Sequence, residues 1–181
     1  MLSNEEYKKL LEETKKEFPK FEIIQKNDSK LMIAIDVFLK IITLGNLKTF
    51  MTGFITAVGE KVYVPKGWDS YPASSKAKVI RHEKIHMKQA KKYGRFLFSI
   101  LYIFFPFPIG IAYFRKKFEQ EAYEESLKAL YEYNGEKPLT PKLREETIKH
   151  FTSSEYFWMW PWKKNIEEWY DSVVEKIKKN Y

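Results

Sequence analysis

"FLFSILYIFFPFPIGIAYF", residues 96–114, runs nineteen residues without a charge between Arg95 and Arg115. By length alone it reads as a membrane span, since one straight helix over it would be about 28 Å long at 1.5 Å per residue. The second half opposes that reading. Pro106, Pro108 and Gly110 break a helix and favour a turn, so the stretch reads as a reversal at "PFPIG". The expected result is a hairpin: a helix over 78–104 runs out and a helix over 111–133 returns beside it. A straight span would put the chemistry-bearing residues on its two sides at opposite membrane faces, whereas the hairpin brings them together.

On the N-terminal side lies "KVIRHEKIHMKQAKKYG", residues 78–94, with two of the three histidines four positions apart around a glutamate. At about 100° per residue, Val79, His86, Gln89, Ala90, Tyr93 and Leu97 share the face of His82. Lys84, Lys88, Lys91 and Arg95 gather opposite, on a face expected to meet water. Two imidazoles at i and i+4 reach one metal ion, and Glu83 between them is placed to take a proton from a water there. The bland alternative is a pair of satisfied core-facing histidines. The chain has no cysteine, so a metal must be held by His, Asp or Glu, and zinc is the expected ion.

A catalytic zinc wants three protein ligands and one open position. No histidine follows six residues on, because position 92 is Lys; His150, the only other histidine, sits among charges on a candidate surface helix. The better source is "RKKFEQEAYEES", residues 115–126, on the returning helix. Glu119 lies about 60° from the centre of its apolar stripe and Glu121 about 100° away on the other side. Glu119 is better placed to reach inward, and Glu121 stays open as the alternative; a solvated surface face is the bland reading for both. For stabilising an oxyanion, Tyr123, Tyr156, His150 and Arg81 are candidates among which the sequence does not choose.

The H-E-x-x-H helix followed by a helix bearing a further glutamate resembles the gluzincin branch of zinc metallopeptidases. "HEKIHMKQ", an apolar segment with a proline turn and then "FEQEAY" look more closely like zinc-metallopeptidase-type proteins encoded in tailed-phage genomes. The resemblance covers roughly residues 52–133, with "KVYVP" as the strand beside the histidine helix. It implies His82, His86 and Glu119 as zinc ligands, Glu83 as general base, a zincin-like fold and a peptide or protein substrate. Where gluzincins carry an Asp that orients a ligand histidine, this chain has Tyr123, or Glu125 if Glu121 were the ligand.

The remaining chain completes an α+β expectation: a single, mainly helical domain over 1–181, with its core at about 46–134, helical segments over 1–45 and 135–181, and a small antiparallel sheet beside the histidine helix. Ser3 and Glu6 read as a capping box, with the helix stopping at Pro19. "FEIIQK" suggests a strand, residues 30–44 a helix ending at Gly45, and "TFMTGFITAVGEKVYVP" a hairpin around Gly59-Glu60. Ser74 or Ser75 is expected to cap the histidine helix, and helices near 141–151 and 164–179 close the chain. "YFWMWPWKK", residues 156–164, reads as core packing under the last helix, with a membrane belt or a base-stacking platform as alternatives.

The formal net charge is +8. A lysine-rich solvated surface explains it; an anionic partner such as nucleic acid or a lipid surface is the sharper alternative. The start, "MLSNEEYKKLLEETKKEF", lacks the apolar region of a signal peptide, so a cytoplasmic location is expected, in the host cytoplasm if the phage resemblance holds. The function expected is zinc-dependent peptide-bond hydrolysis. One rival is a basic interaction protein, binding nucleic acid or a phage component, with a structural or vestigial metal. Another is a protease anchored to, or touching, a membrane through 96–114.

Overall fold

The computed structural model describes residues 2–45, 48–104, 112–153 and 159–181. Helix α1 (Asn4–Glu17) opens on the expected capping box: the Ser3 hydroxyl accepts from the Glu6 N–H, and the Glu6 carboxylate accepts from the Ser3 N–H at 2.8 Å. Strand β1 (Glu22–Gln25) and a 3-10 turn (Lys26–Asp28) lead to α2 (Lys30–Ile42), capped by Ser29. A helical turn, α3 (Phe50–Gly53), precedes β2 (Thr56–Val58) and β3 (Lys61–Val64). Gly59, at φ 65°, makes the tight turn between those strands.

The expected hairpin of β2 and β3 is present, but the sheet is mixed. Its order is β1-β3-β2, and β1 runs parallel to β3, with Ile23 opposite Val62 and Ile24 opposite Tyr63. The physical reason is connectivity. A whole crossover containing α2, α3 and β2 separates β1 from β3, and such a crossover can return the chain in the same direction. Alternation along β3 then serves two cores. Val62 and Val64 pack with Phe18, Phe21, Trp68, Ile80 and Met87, whereas Tyr63 packs with Met32 of α2 and Phe50 of α3.

Helix α4 (Ala73–Tyr93) carries the histidines. It begins directly after Pro72, so Ser74 and Ser75 lie within its first turn instead of capping it. Of the lysine face expected to meet water, Lys88, Lys91 and Arg95 are exposed, whereas Lys84 is half-buried against α1, where it pairs with Glu17 at 2.8 Å. Amphipathicity alone ranks a Lys as solvent-facing, but a long side chain beside one carboxylate of a neighbouring helix is equally satisfied under cover.

The helix expected over 78–104 is interrupted. Gly94, at φ 81°, ends α4; α5 (Arg95–Ser99) follows, then a π-helical turn (Ile100–Phe104). The "PFPIG" reversal lies outside the described residues. Its expected consequence is nevertheless visible: α6 (Tyr113–Asn134) returns antiparallel beside α4. Arg81 pairs with Glu125 and Glu132, His82 meets Ser126, and the Gln89 amide donates to the Phe118 carbonyl. Ala122, fully buried, lets the two helices approach. Among the described residues, no helix is long and apolar enough to cross a membrane.

Helices α7 (Pro141–Thr152) and α8 (Lys163–Asn180) cover α6 from the other side through Leu127, Tyr170, Val173 and Ile177. Of the aromatic cluster, residues 156–158 lie outside the described residues. Met159 packs in a core with Ala112, Ile148, Phe151 and Ile166, with Trp160 against it, while Trp162 is exposed.

Candidate metal centre

The antiparallel register of α4 and α6 brings His82, His86 and Glu119 together. The two Nε2 atoms are 3.2 Å apart, His82 Nε2 lies 3.6 Å from Glu119 Oε2, and His86 Nε2 lies 3.6 Å from Glu119 Oε1. A tetrahedral ion with bonds of 2.0–2.1 Å separates its ligands by about 3.3 Å; the two Nε2 atoms stand near that spacing, each 3.6 Å from a different oxygen of the one carboxylate, so the group could hold one ion. Among the described residues this is the one group of three or more His, Cys, Asp or Glu side chains so placed.

The hydrogen bonds around the rings settle which nitrogen faces inward. Ser126 donates its hydroxyl proton to the Ala122 carbonyl at 3.1 Å, so toward His82 Nδ1, 3.0 Å away, it accepts. Gln89 donates from its amide nitrogen to the Phe118 carbonyl (3.1 Å) and to Glu121 (2.8 Å), leaving its oxygen 2.9 Å from His86 Nδ1. Both Nδ1 atoms therefore carry the proton, and both Nε2 atoms turn a lone pair toward the carboxylate. Three acceptors converge without a donor between them, which is the arrangement a cation satisfies. Orienting a ligand histidine through its other nitrogen is the usual way a protein prepares such a site.

Glu121 is thereby placed as the partner of Gln89, and Glu119 as the residue that meets the histidines. Glu125 is drawn away by Arg81, at 2.6 Å. Arg81 also bonds Glu132 and the Tyr133 hydroxyl, so it clamps α4 to α6 and is not turned into the site. Tyr123 stacks edge-on against His82, with ring centres 5.0 Å apart, and the His150 ring lies 5.5 Å beyond it. The His150 Nδ1 donates to the Glu146 carbonyl at 2.7 Å. Tyr156 lies outside the described residues.

Three residues of the site carry no motif: Ser126, Gln89 and Tyr102. The Tyr102 hydroxyl donates to Glu119 Oε1, and its ring stands 5.7 Å from that of His86. Helical position offers a signal for two of them, since Ser126 is seven residues after Glu119 and Gln89 three after His86, each on the same face. Tyr102 sits in an apolar run, and only the break at Gly94 and the π-helical turn bring it to the carboxylate.

Two buried carboxyls of the site are driven apart. Burial pushes Glu83 up to about 7, with Glu119 adding to the rise while His86 and Lys26 oppose it. Burial also acts to raise Glu119, but the neighbouring His86 and His82 and the Tyr102 hydroxyl outweigh it and hold that carboxyl well below the ordinary range. A permanent anion facing two lone pairs, beside a second carboxyl poised near neutrality, suits a metal-ligating residue and a proton acceptor.

No family model matches this chain, nor does any curated protein or solved structure.

Proposed function

We propose that this protein is a zinc-dependent metallopeptidase in which His82, His86 and Glu119 hold the ion and Glu83 is the general base. The observation that supports this best is the convergence of two Nε2 lone pairs and one carboxylate at spacings of 3.2–3.6 Å, with both Nδ1 protons already taken by Ser126 and Gln89. Zinc would supply Lewis acidity, bringing the ionisation of water near neutral pH and polarising a peptide carbonyl. The residues do the rest. Ser126 and Gln89 hold the imidazoles in one tautomer, and Tyr102 holds Glu119. Glu83, immediately after a ligand histidine and buried, accepts the attacking water's proton and passes it to the leaving nitrogen. The resemblance to gluzincins described above points the same way, and Ser126 takes over the orienting task for which those enzymes use an aspartate.

The test separates binding from chemistry. Wild type and Glu83→Gln, purified without chelator, are expected to hold about one zinc per chain, and a His82→Ala, His86→Ala variant none. On a peptide library, Glu83→Gln is expected to lose two or more orders of magnitude, on the order of the general-base contribution. Equal zinc in the histidine variant would remove the metal site, and unchanged turnover in Glu83→Gln would remove Glu83 from the reaction.

A further inference from the structure

Helix α2 is apolar on both sides, and among the described residues only one side is covered. Met32 and the inner flank pack on Tyr63 and Phe50. On the outer side Leu31, Ile33, Val37, Phe38 and Ile41 are exposed, Phe38 by 60% and Ile41 by 67%, and Leu44, just past the helix end, by 90%. At 100° per residue the five helical positions sweep an arc of about 160°. A contiguous apolar face of this kind marks a place where something docks.

The charges on this segment say what. Between Ser29 and Lys48 the only acid is Asp36, and it is turned inward, paired with Lys40 at 2.6 Å. The other charged residues of the segment, Lys30 and Lys48, are basic, exposed and at its two ends. A second copy would bring like charges together at the edges of the face, on a chain whose net charge is already +8. An anionic surface pairs them instead. The helix is about 20 Å long, too short to cross a bilayer core of about 30 Å and suited to lying flat in its interface. The segment after α4 repeats the composition: Lys91, Lys92, Tyr93, Phe96 and Leu97 are all exposed, Phe96 by 81%, and no acid occurs from 91 to 104.

We propose that the outer face of α2 docks on an anionic lipid surface, its apolar side chains entering the acyl boundary and Lys30 and Lys48 lying at the level of the phosphates. The lysines draw the helix to the surface, and apolar burial holds it there. Docking of this kind is independent of the metal centre, so it stands or falls separately from the peptidase reading.

The probe is the full chain with sedimenting vesicles of phosphatidylcholine alone or mixed with phosphatidylglycerol. Binding is expected to the mixed vesicles, to weaken by about tenfold or more without the anionic lipid, and to weaken with added salt. The double substitution Phe38→Asp, Ile41→Asp is expected to weaken it by at least about tenfold, whereas Asn165→Asp, Asn180→Asp on α8, which makes the same change in net charge, should alter it less than about twofold. Both positions on α2 are exposed, and circular dichroism checks that the fold survives. As a readout that keeps the face apolar, Phe38→Cys in this cysteine-free chain can carry an environment-sensitive dye, whose emission should shift to the blue on adding mixed vesicles. Vesicle binding unaffected by the α2 substitutions overturns the proposal. So does a dye that does not respond. Absence of vesicle binding overturns it too, and a concentration-dependent dimer abolished by Phe38→Asp, Ile41→Asp would assign the face to a second copy instead.

Discussion

Glu83 and Glu119 occupy the same buried site, yet one carboxyl is pushed toward the proton and the other away from it, and this difference has a measurable consequence. In the metal-free chain Glu83 rises from 4.5 to about 7. The folded protein then binds a proton more tightly than the unfolded one between those values, so stability falls as pH rises through that window and the full penalty is present above it. Glutamine carries no such penalty. Metal-free Glu83→Gln should therefore exceed wild type by at most about 3 kcal/mol at pH 8, and match it at pH 4. Glu119 has the opposite sign, its contribution being lost as pH falls below the ordinary carboxylate range, and it is common to both chains. Urea denaturation with chelator at the two pH values checks this; equal stability at pH 8 would show that Glu83 carries no buried charge. The same residues mark what the sequence could tell. His82 and His86 were legible because i, i+4 spacing is a local property of one helix, and Glu119 was preferred over Glu121 from its angle on another. Ser126 and Tyr102 were not, because Ser126 meets His82 only through the register of two helices and Tyr102 reaches Glu119 only through the break after α4; Gln89 shares a helix face with the histidines, but its amide is oriented by Phe118 and Glu121 of the other helix.

Elements were legible where their signals are local: the capping box of α1 and the Gly59 hairpin both act within a few residues. They failed where the signal is a backbone angle or a distant partner. Apolar spacing carries on through residue 94 as though the helix continued, but Gly94 adopts φ 81° and ψ 139°, a region open to glycine and not to L-residues, and the chain leaves α4 there. The parallel pairing of β1 with β3 likewise depends on a crossover no strand pattern encodes. A Cβ at Gly94 would meet no atom within 4 Å, so Gly94→Ala tests the backbone alone. It is expected to destabilise the fold by about 1–3 kcal/mol. Denaturant midpoints measure the loss, and circular dichroism tells whether the segment relaxes into a longer helix. An alanine variant as stable as wild type, with unchanged helix content, would mean the angle at Gly94 does not constrain the chain.

At the scale of the molecule, α4 is the member around which the rest is arranged, with the sheet and α1 on two sides of it and α6 on a third. Of these contacts, the sequence foretold the sheet beside α4, through "KVYVP", and the one with α6, because bringing Glu119 to the histidines required it. It did not foretell α1 on the lysine face, because a lysine beside Glu17 and a lysine in water look alike in sequence. The proposed metal site joins the two helices of the hairpin directly: His82 and His86 lie on α4 and Glu119 on α6, so an ion bound by all three holds together helices that the unfolded chain leaves apart. Zinc binding should accordingly be linked to folding of the whole chain. With free zinc at about one hundred times its dissociation constant, wild type should gain about 2.7 kcal/mol, which for a chain of this size is a rise of roughly 5–10 °C in melting temperature. Glu83→Gln, which keeps all three ligands, should show the same rise, whereas His82→Ala, His86→Ala should show none. Calorimetric melts with zinc or with chelator make the comparison. An equal rise in the histidine variant would place the zinc elsewhere on the surface, and no rise in wild type would mean that the two helices are held together without it.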